Sequence, residues 1–384
     1  MMMKKRGLYV LAAILLLGVV GLIIWKGNPD NGGPGEPTTG NDTIRIGAIL
    51  PLHGDLKEYG EYGNRGLVIA RQEFMEDHPE VFVDIIIEDD LGDKTKALSA
   101  VQKLRDWDHV DMIVGSMSSG LTLAVASEME KSKIVMMAPT STMSDVTNAG
   151  DYIFRVCVSD AFEGPCMADY IKEHFPGRKL GLVYINNDYG EGLIKNFSER
   201  CSELGVKIYY KTGYQTDTKN FRTIINNLKR REIDLVYIVA QKEQVEFFSQ
   251  CKQLNYKPQF TASTMLEDHT VVERLGSFMD GSLYTYRSYD PERQDPVVIR
   301  FVNDYKEKYG VLPEYYAAST FDATKVCLYA QYEYRKSGLS LKDYLYTIKG
   351  LPGVMGTIEF DKNGDVTQGF SIKTIVDGKF VFMD

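Results

Sequence analysis

From Thr43 onward the chain alternates short apolar runs with amphipathic stretches, and it runs through this alternation twice. Residues 44–50, 82–87, 111–114 and 134–137 read as strands, with helices expected over 59–75, 94–107 and 121–132. Strands separated by helix-length crossovers cannot be joined by tight hairpins, so this rhythm predicts a parallel, doubly wound α/β sheet. After Tyr152 the rhythm restarts. Strands are expected at 180–185, 206–210, 235–239 and 282–286, with helices at 191–204, 220–230 and 244–254 between them. Two similar blocks in series predict two similar Rossmann-like lobes.

The tail breaks the pattern. Helices at 296–309, 315–335 and 341–349 follow one another, and short strands come only at 356–360, 370–376 and 379–383. Asn363-Gly364 and Asp377-Gly378 are hairpin-type turn signals. Helices without strands of their own must pack on a sheet built earlier. The chain is therefore expected to return to the first lobe and end in the second. That gives one lobe from 43–158 plus 287–355 and another from 159–286 plus 356–384, with a hinge of several crossings.

Two polar loops stand at strand ends. GSMSSG (115–120) follows Met112-Ile113-Val114, and APTST (138–142) follows the run 134–137. In open α/β sheets ligands bind just beyond the carboxyl ends of strands. Hydroxyls and free N–H groups at a helix start suit a carboxylate or another small anion. Ser and Thr at such places also serve as helix caps. Gly60, Gly63 and Gly66, three apart near a helix start, favour close backbone packing over a phosphate cradle, since no G-K-[ST] follows.

Other chemistries find little support. A formal net charge of -9 argues against a nucleic-acid footprint. The five cysteines form no C-x-x-C, and no Cys/His spacing suggests a metal; buried free thiols are the favoured reading. No H-E-x-x-H pair occurs, Ser118 and Ser119 lie outside any G-x-S-x-G elbow, and Gly190-Glu191-Gly192 lacks the third glycine of a dinucleotide fingerprint. Glu88, Asp89 and Asp90 read as exposed loop charge rather than a cation site. The chain is expected to be no enzyme and to need no cofactor.

At the N-terminus Lys4, Lys5 and Arg6 precede an uninterrupted apolar run from Gly7 to Trp25. As a helix that run spans roughly 28 Å, enough to cross a membrane. It has no clear small-residue cleavage site, which favours an uncleaved transmembrane anchor over a cleaved signal. The positive-inside rule then leaves the N-terminus cytoplasmic and the body outside. Residues 27–42, rich in Gly and Pro, read as a flexible tether with a reach on the order of 20 Å.

The order of several segments resembles the type I periplasmic binding proteins of ABC importers, in particular the leucine/isoleucine/valine-binding family. These segments are IRIGAILPLHG with EYG (44–54, 58–60), EDDLGDKTKAL (88–98), IVGSMSSGLTLA (113–124), MAPTST (137–142), YIFRV (152–156), VYINNDYGEG (183–192), DLVYIVA (234–240) and GTIEFDKNGDVTQGF (356–370). Each is weak alone; their order and spacing carry the likeness over nearly all of 43–384. The resemblance implies an extracytoplasmic solute-binding protein that closes on an amino acid or related carboxylate and docks on permease subunits. The alternative is a ligand-sensing ectodomain that signals through a membrane partner. It implies that Ser119, Thr140 and Thr142 hold the ligand's carboxylate and help hold its ammonium, and that Tyr59 and Tyr189 pack on it from the two lobes. The family's second-lobe carboxylate for the ammonium falls at Thr264, with Glu267 and Asp268 close by as substitutes, and another second-lobe aromatic falls at Gln241. Gly92 and Ser118 occupy the positions of a family disulfide, so that bridge is absent. These departures widen the expected ligands to hydroxylated or amide-bearing molecules and to acids without an amine.

Overall fold

The computed structural model describes residues 43–383 except Ser288. The expected anchor and its tether lie outside the described residues. Among those described, no helix is long and apolar enough to cross a membrane.

Strands β1 (Thr43–Leu50), β2 (Phe82–Asp89), β3 (Met112–Val114), β4 (Val135–Ala138) and β5 (Ile153–Arg155) form a parallel sheet in the order β2-β1-β3-β4-β5. Its connecting helices are α1 (Lys57–Asp77), α2 (Lys94–Asp106) and α3 (Ser119–Ser132). The second sheet contains β6 (Leu180–Ile185), β7 (Ile208–Tyr214), β8 (Leu235–Val239), β9 (Gln259–Ala262) and β10 (Leu283–Tyr286), all parallel. Around it run α4 (Glu163–His174), α5 (Asp188–Leu204), α6 (Arg222–Arg230), α7 (Gln244–Gln253) and α8 (His269–Leu275). The tail supplies α9 (Pro296–Tyr309), α10 (Tyr315–Ser337), α11 (Leu341–Leu345) and the strands β11 (Leu351–Pro352), β12 (Thr357–Ile358), β13 (Ser371–Val376) and β14 (Lys379–Phe382). β13 and β14 add antiparallel to the second sheet, giving β14-β13-β10-β9-β8-β6-β7.

Local chemistry fixes many of these ends. Asp93 caps α2 by accepting from the N–H groups of Thr95 and Lys96, and Asn187 caps α5 through Gly190 N. Gly205 ends α5 in the left-handed region, and Val206 N then bonds back to Cys201 O, so β7 starts at Ile208 rather than 206. Asp377 and Gly378 both have positive φ, 50° and 71°, which suits a two-residue hairpin joining β13 to β14.

Strand pleating divides the first core in two. Ile44, Ile46, Ala48 and Leu50 point to one face and meet Ala323, Val326 and Cys327 of α10. Ile49, Ile113 and Met136 point to the other and meet Ala97, Val101, Leu121 and Val125 of α2 and α3. The returning α10 lies against α1. At Gly66 a Cβ would collide with the Ala317 carbonyl of α10, and at Gly60 with the Pro51 carbonyl, so the glycines spaced by three serve packing.

The tail differs from expectation in one respect. Ile358, Phe360 and Val366 are buried in the first core, and β12 pairs with β11 rather than with the second sheet. The segment from β11 to Val366 therefore packs with the first sheet, and the chain joins the second sheet only at β13. Burial of three apolar residues holds the segment there, at about 1.5–3 kcal/mol for each large side chain.

Candidate functional site

The first loop leaves β3 beside β1, where the strand order reverses from β1-β2 to β3-β4. Connections diverge at such a point and leave a crevice. Asp90, expected as exposed loop charge, is fully buried beneath the loop. It accepts hydrogen bonds from Ser116 Oγ (2.9 Å) and Gly92 N (2.9 Å), and burial pushes its carboxyl up. The two loops are laced together. Thr140 Oγ1 donates to Met117 O (2.8 Å), and Thr122 and Ser141 share a hydroxyl hydrogen bond (2.8 Å).

Beneath the second loop lies Arg155 at the end of β5, fully buried. It pairs with Asp365 through Nε (2.6 Å) and Nη2 (2.8 Å), and its Nη1 donates to the carbonyls of Ser141 (2.9 Å) and Met143 (2.8 Å). Those two carbonyls flank Thr142. A planar guanidinium can hold a carboxylate and two carbonyls at once, which a lysine cannot. YIFRV carried the family likeness, but nothing in it disclosed this brace, because Asp365 lies 210 residues away.

The three hydroxyls chosen from the sequence differ in what they retain. Thr140 gives its proton to Met117 and is nearly buried, so it holds the loops together. Thr142 Oγ1 donates to Asp160 Oδ2 (3.0 Å). Ser119 accepts from Met143 N (3.2 Å) and keeps its own proton available. None of the three is a helix cap. The N-cap of α3 is Ser118, whose side chain makes no capping bond, so the start of α3 stays open to an anion. APTST leads into a short 3₁₀ turn, Ser144–Asn148.

A cavity of 670 Å³ opens between the loop after β4 and α5. Ser119, Thr142 and Asp145 line it together with Asp160 and with Tyr189, Leu193 and Asn196 of α5. The Tyr189 hydroxyl is buried without a hydrogen-bond partner. Tyr59, at the start of α1, stacks on Tyr316 with ring centroids 4.3 Å apart. Gln241 is half-buried at the end of β8, where its carbonyl accepts from Gln244 N.

Glu267 is engaged elsewhere. Its carboxylate pairs with Lys373 of β13 (2.7 Å) and accepts from the Tyr284 hydroxyl (2.6 Å). A carboxylate so committed is not the free ammonium partner that proximity to Thr264 suggested. Asp268 is likewise occupied, as the N-cap of α8. The carboxylate beside Thr264 comes from another element. Glu163, the first residue of α4, is fully buried, and its Oε1 accepts from Thr264 N (2.6 Å) and Thr285 Oγ1 (2.8 Å). Its Oε2 has no partner. Burial raises its pKa to about 7, against the lowering effect of those two hydrogen bonds. The sequence reading missed α4 and with it Glu163. The helix follows a crossing and lacks a side-chain cap at its start, so it shows no entry signal.

Arg287 was missed as well. It is the first residue beyond β10, and its guanidinium carbon lies 5.1 Å from the centroid of Tyr315. Its Nε is buried and donates to nothing among the described residues. The nearby Cys157 is fully buried, and burial pushes its thiol up to about 12, which removes it as a nucleophile at neutral pH. All five cysteines are free thiols. Among the described residues no group of His, Cys, Asp and Glu is placed to hold a metal. The arrangement is suited to binding a small polar molecule.

Comparison with known proteins agrees. A family model described as periplasmic binding protein matches residues 43–379. The leucine-, isoleucine-, valine-, threonine- and alanine-binding protein of Pseudomonas aeruginosa is 24% identical over 72% of this chain and 76% of its own. The leucine-specific-binding protein of Salmonella typhimurium is 23% identical over 86% and 89%. Among solved structures, a putative branched-chain amino acid ABC transporter from Rhodospirillum rubrum superposes with a TM-score of 0.80 at 22% identity, covering 89% of this chain and all of the other. A leucine-binding protein from Thermotoga maritima gives 0.67 at 27%, covering 89% and 98%. The chain therefore belongs to the periplasmic binding proteins, in the type I group that includes the leucine-, isoleucine- and valine-binding proteins.

Proposed function

We propose that this chain is the extracytoplasmic solute-binding protein of an ABC importer, and that it closes two lobes over an amino acid or a related small carboxylate. One observation carries the reading: the 670 Å³ cavity has Ser119 and Thr142 on one wall and Tyr189 on the other. A carboxylate at the open start of α3 would take the Ser119 proton and the first N–H groups of the helix. Tyr189 would cover it from the second lobe, where its buried hydroxyl still lacks a partner. The lobes in this proposal are 43–158 with 287–366, and 159–286 with 367–384. Permease subunits would read the closed state, and the apolar run 7–25 would tether the body at the membrane.

The test is calorimetric titration of the full chain with L-leucine and L-glutamate, before and after Ser119→Ala combined with Thr142→Ala. Each charge-assisted hydrogen bond contributes about 1.5–3 kcal/mol, so the double variant should lose roughly 100-fold or more in affinity while keeping its melting temperature. An affinity that does not change would remove these loops from the site.

A further inference from the structure

The hinge side of the cleft holds polar groups that the loops of the first lobe do not account for. Glu163 opens α4 just after the chain first enters the second lobe, and Arg287 stands where it leaves again after β10. Thr285, two residues before Arg287, donates to Glu163, so the two crossings are tied side by side. Across the hinge, Tyr315 opens α10. The Arg287 guanidinium lies over its ring, and Tyr315 meets Tyr316 edge-on, with centroids 5.5 Å apart. Tyr316 in turn stacks on Tyr59. Arg287, at the crossing, and three tyrosines thus run along the hinge edge into the first lobe.

Four polar atoms here are buried and have no partner among the described residues: Arg287 Nε, Tyr315 OH, Tyr189 OH and Glu163 Oε2. Three of them are donors. The fourth belongs to a carboxyl whose burial keeps it largely protonated up to about pH 7, so it too can donate. A guanidinium lying over a ring keeps its N–H edge free for an in-plane acceptor. The groups whose charge bears on Arg287 are Tyr315, Asp160, Glu163 and Cys157. Asp160 already accepts from Thr142, and none of these forms an ion pair with Arg287 among the described residues. Buried donors left unpaired are costly, and donors gathered around a cation call for an anionic acceptor.

We propose that the ligand of this cleft carries a second acidic group that seats on Arg287, which makes it a dicarboxylic acid or an acidic amino acid rather than an aliphatic one. The inference rests on the cleft reading above, which places the first carboxylate at Ser119 and the start of α3. Arg287 is then a specificity-determining residue. Tyr189, Tyr315 and the Glu163 carboxyl supply the neutral donors around the same oxygen pair.

The full chain is titrated calorimetrically at pH 6 with L-aspartate, L-glutamate, their amides L-asparagine and L-glutamine, and L-leucine. The better acid should bind roughly 10- to 100-fold more tightly than its own amide, the range of one charge-assisted hydrogen bond in a buried site. In Arg287→Gln the acid-to-amide ratio should fall to about one. Leucine or an amide binding as tightly as the acids overturns this inference and leaves the cleft reading standing, and so does an acid preference that survives Arg287→Gln. If none of the five binds, the cleft reading falls and this inference with it. Should Arg287→Gln fail to fold, the acid-to-amide ratio of the unaltered chain decides.

Discussion

The two walls of the cleft are built on opposite principles. On the first-lobe wall almost every polar group has a partner. Asp90 holds Ser116, Thr140 holds Met117, and Arg155 holds both carbonyls that flank Thr142. On the second-lobe and hinge side, Glu163, Tyr189, Tyr315 and Arg287 each keep a buried atom unpartnered. Buried polar atoms in native proteins are rarely left so. In the proposed function the contrast divides the work: the first side would present a rigid docking surface, and the second would be completed by the ligand it closes upon.

The sharpest way to break this contrast is to loosen the rigid wall. Arg155→Met should cost about 3–5 kcal/mol, because it leaves the buried Asp365 carboxylate unanswered. Replacing Asp365 with Leu in the same chain should restore much of the loss. Urea midpoints measure both, and a single-variant loss below about 1 kcal/mol would make the brace ornamental.

Glu163→Gln probes the other wall through pH. The native carboxyl keeps its proton up to about 7, whereas an unfolded one releases it near 4.5. Its contribution to stability is therefore full below about 4.5 and declines as pH rises to about 7. Glutamine can still accept from Thr264 N and Thr285 Oγ1 but does not titrate. The variant should gain on the parent by about 1–3 kcal/mol between those limits, read as the pH dependence of the difference in urea midpoints. A difference that stays flat across that window would show that Glu163 ionises normally. Asp322, raised to about 6 by burial, is present in both chains and cancels.

Smaller effects sharpen the boundary of the site. Thr140→Val should cost about 1 kcal/mol by leaving the Met117 carbonyl without its donor, measured by thermal unfolding. Glu267→Gln should change ligand affinity by no more than the roughly ±0.5 kcal/mol scatter of substitutions away from a site, because its carboxylate already faces Lys373 and Tyr284. A large loss of affinity in calorimetry would return Glu267 to the cleft.

The sequence disclosed the rigid wall and concealed the other for a physical reason. Strand-end loops of Ser and Thr follow apolar runs directly, so periodicity places GSMSSG and APTST at the crevice. Doubly wound strands such as 180–185 and 235–239 were legible to the residue. β5 and β9, of three and four residues, went unread, although β3 and β4 of the same lengths were read. Glu163 and Arg287 come from two crossings far apart in the chain, which Thr285 ties side by side. Pairing across such a distance leaves no local pattern, and neither does the link between Arg155 and Asp365. Glu267 shows the reverse case: it is near Thr264 in sequence, and its carboxylate faces Lys373 of β13.

The bond between Arg155 and Asp365 also sets a schedule. During synthesis at 5–20 residues per second, the 210 residues that separate the partners take on the order of 10–40 s to appear. Until then the guanidinium under the threonine loop has no carboxylate, although the sheet above it is already made. The loop at 138–142, written early in the chain, is thus braced only once the tail has been delivered.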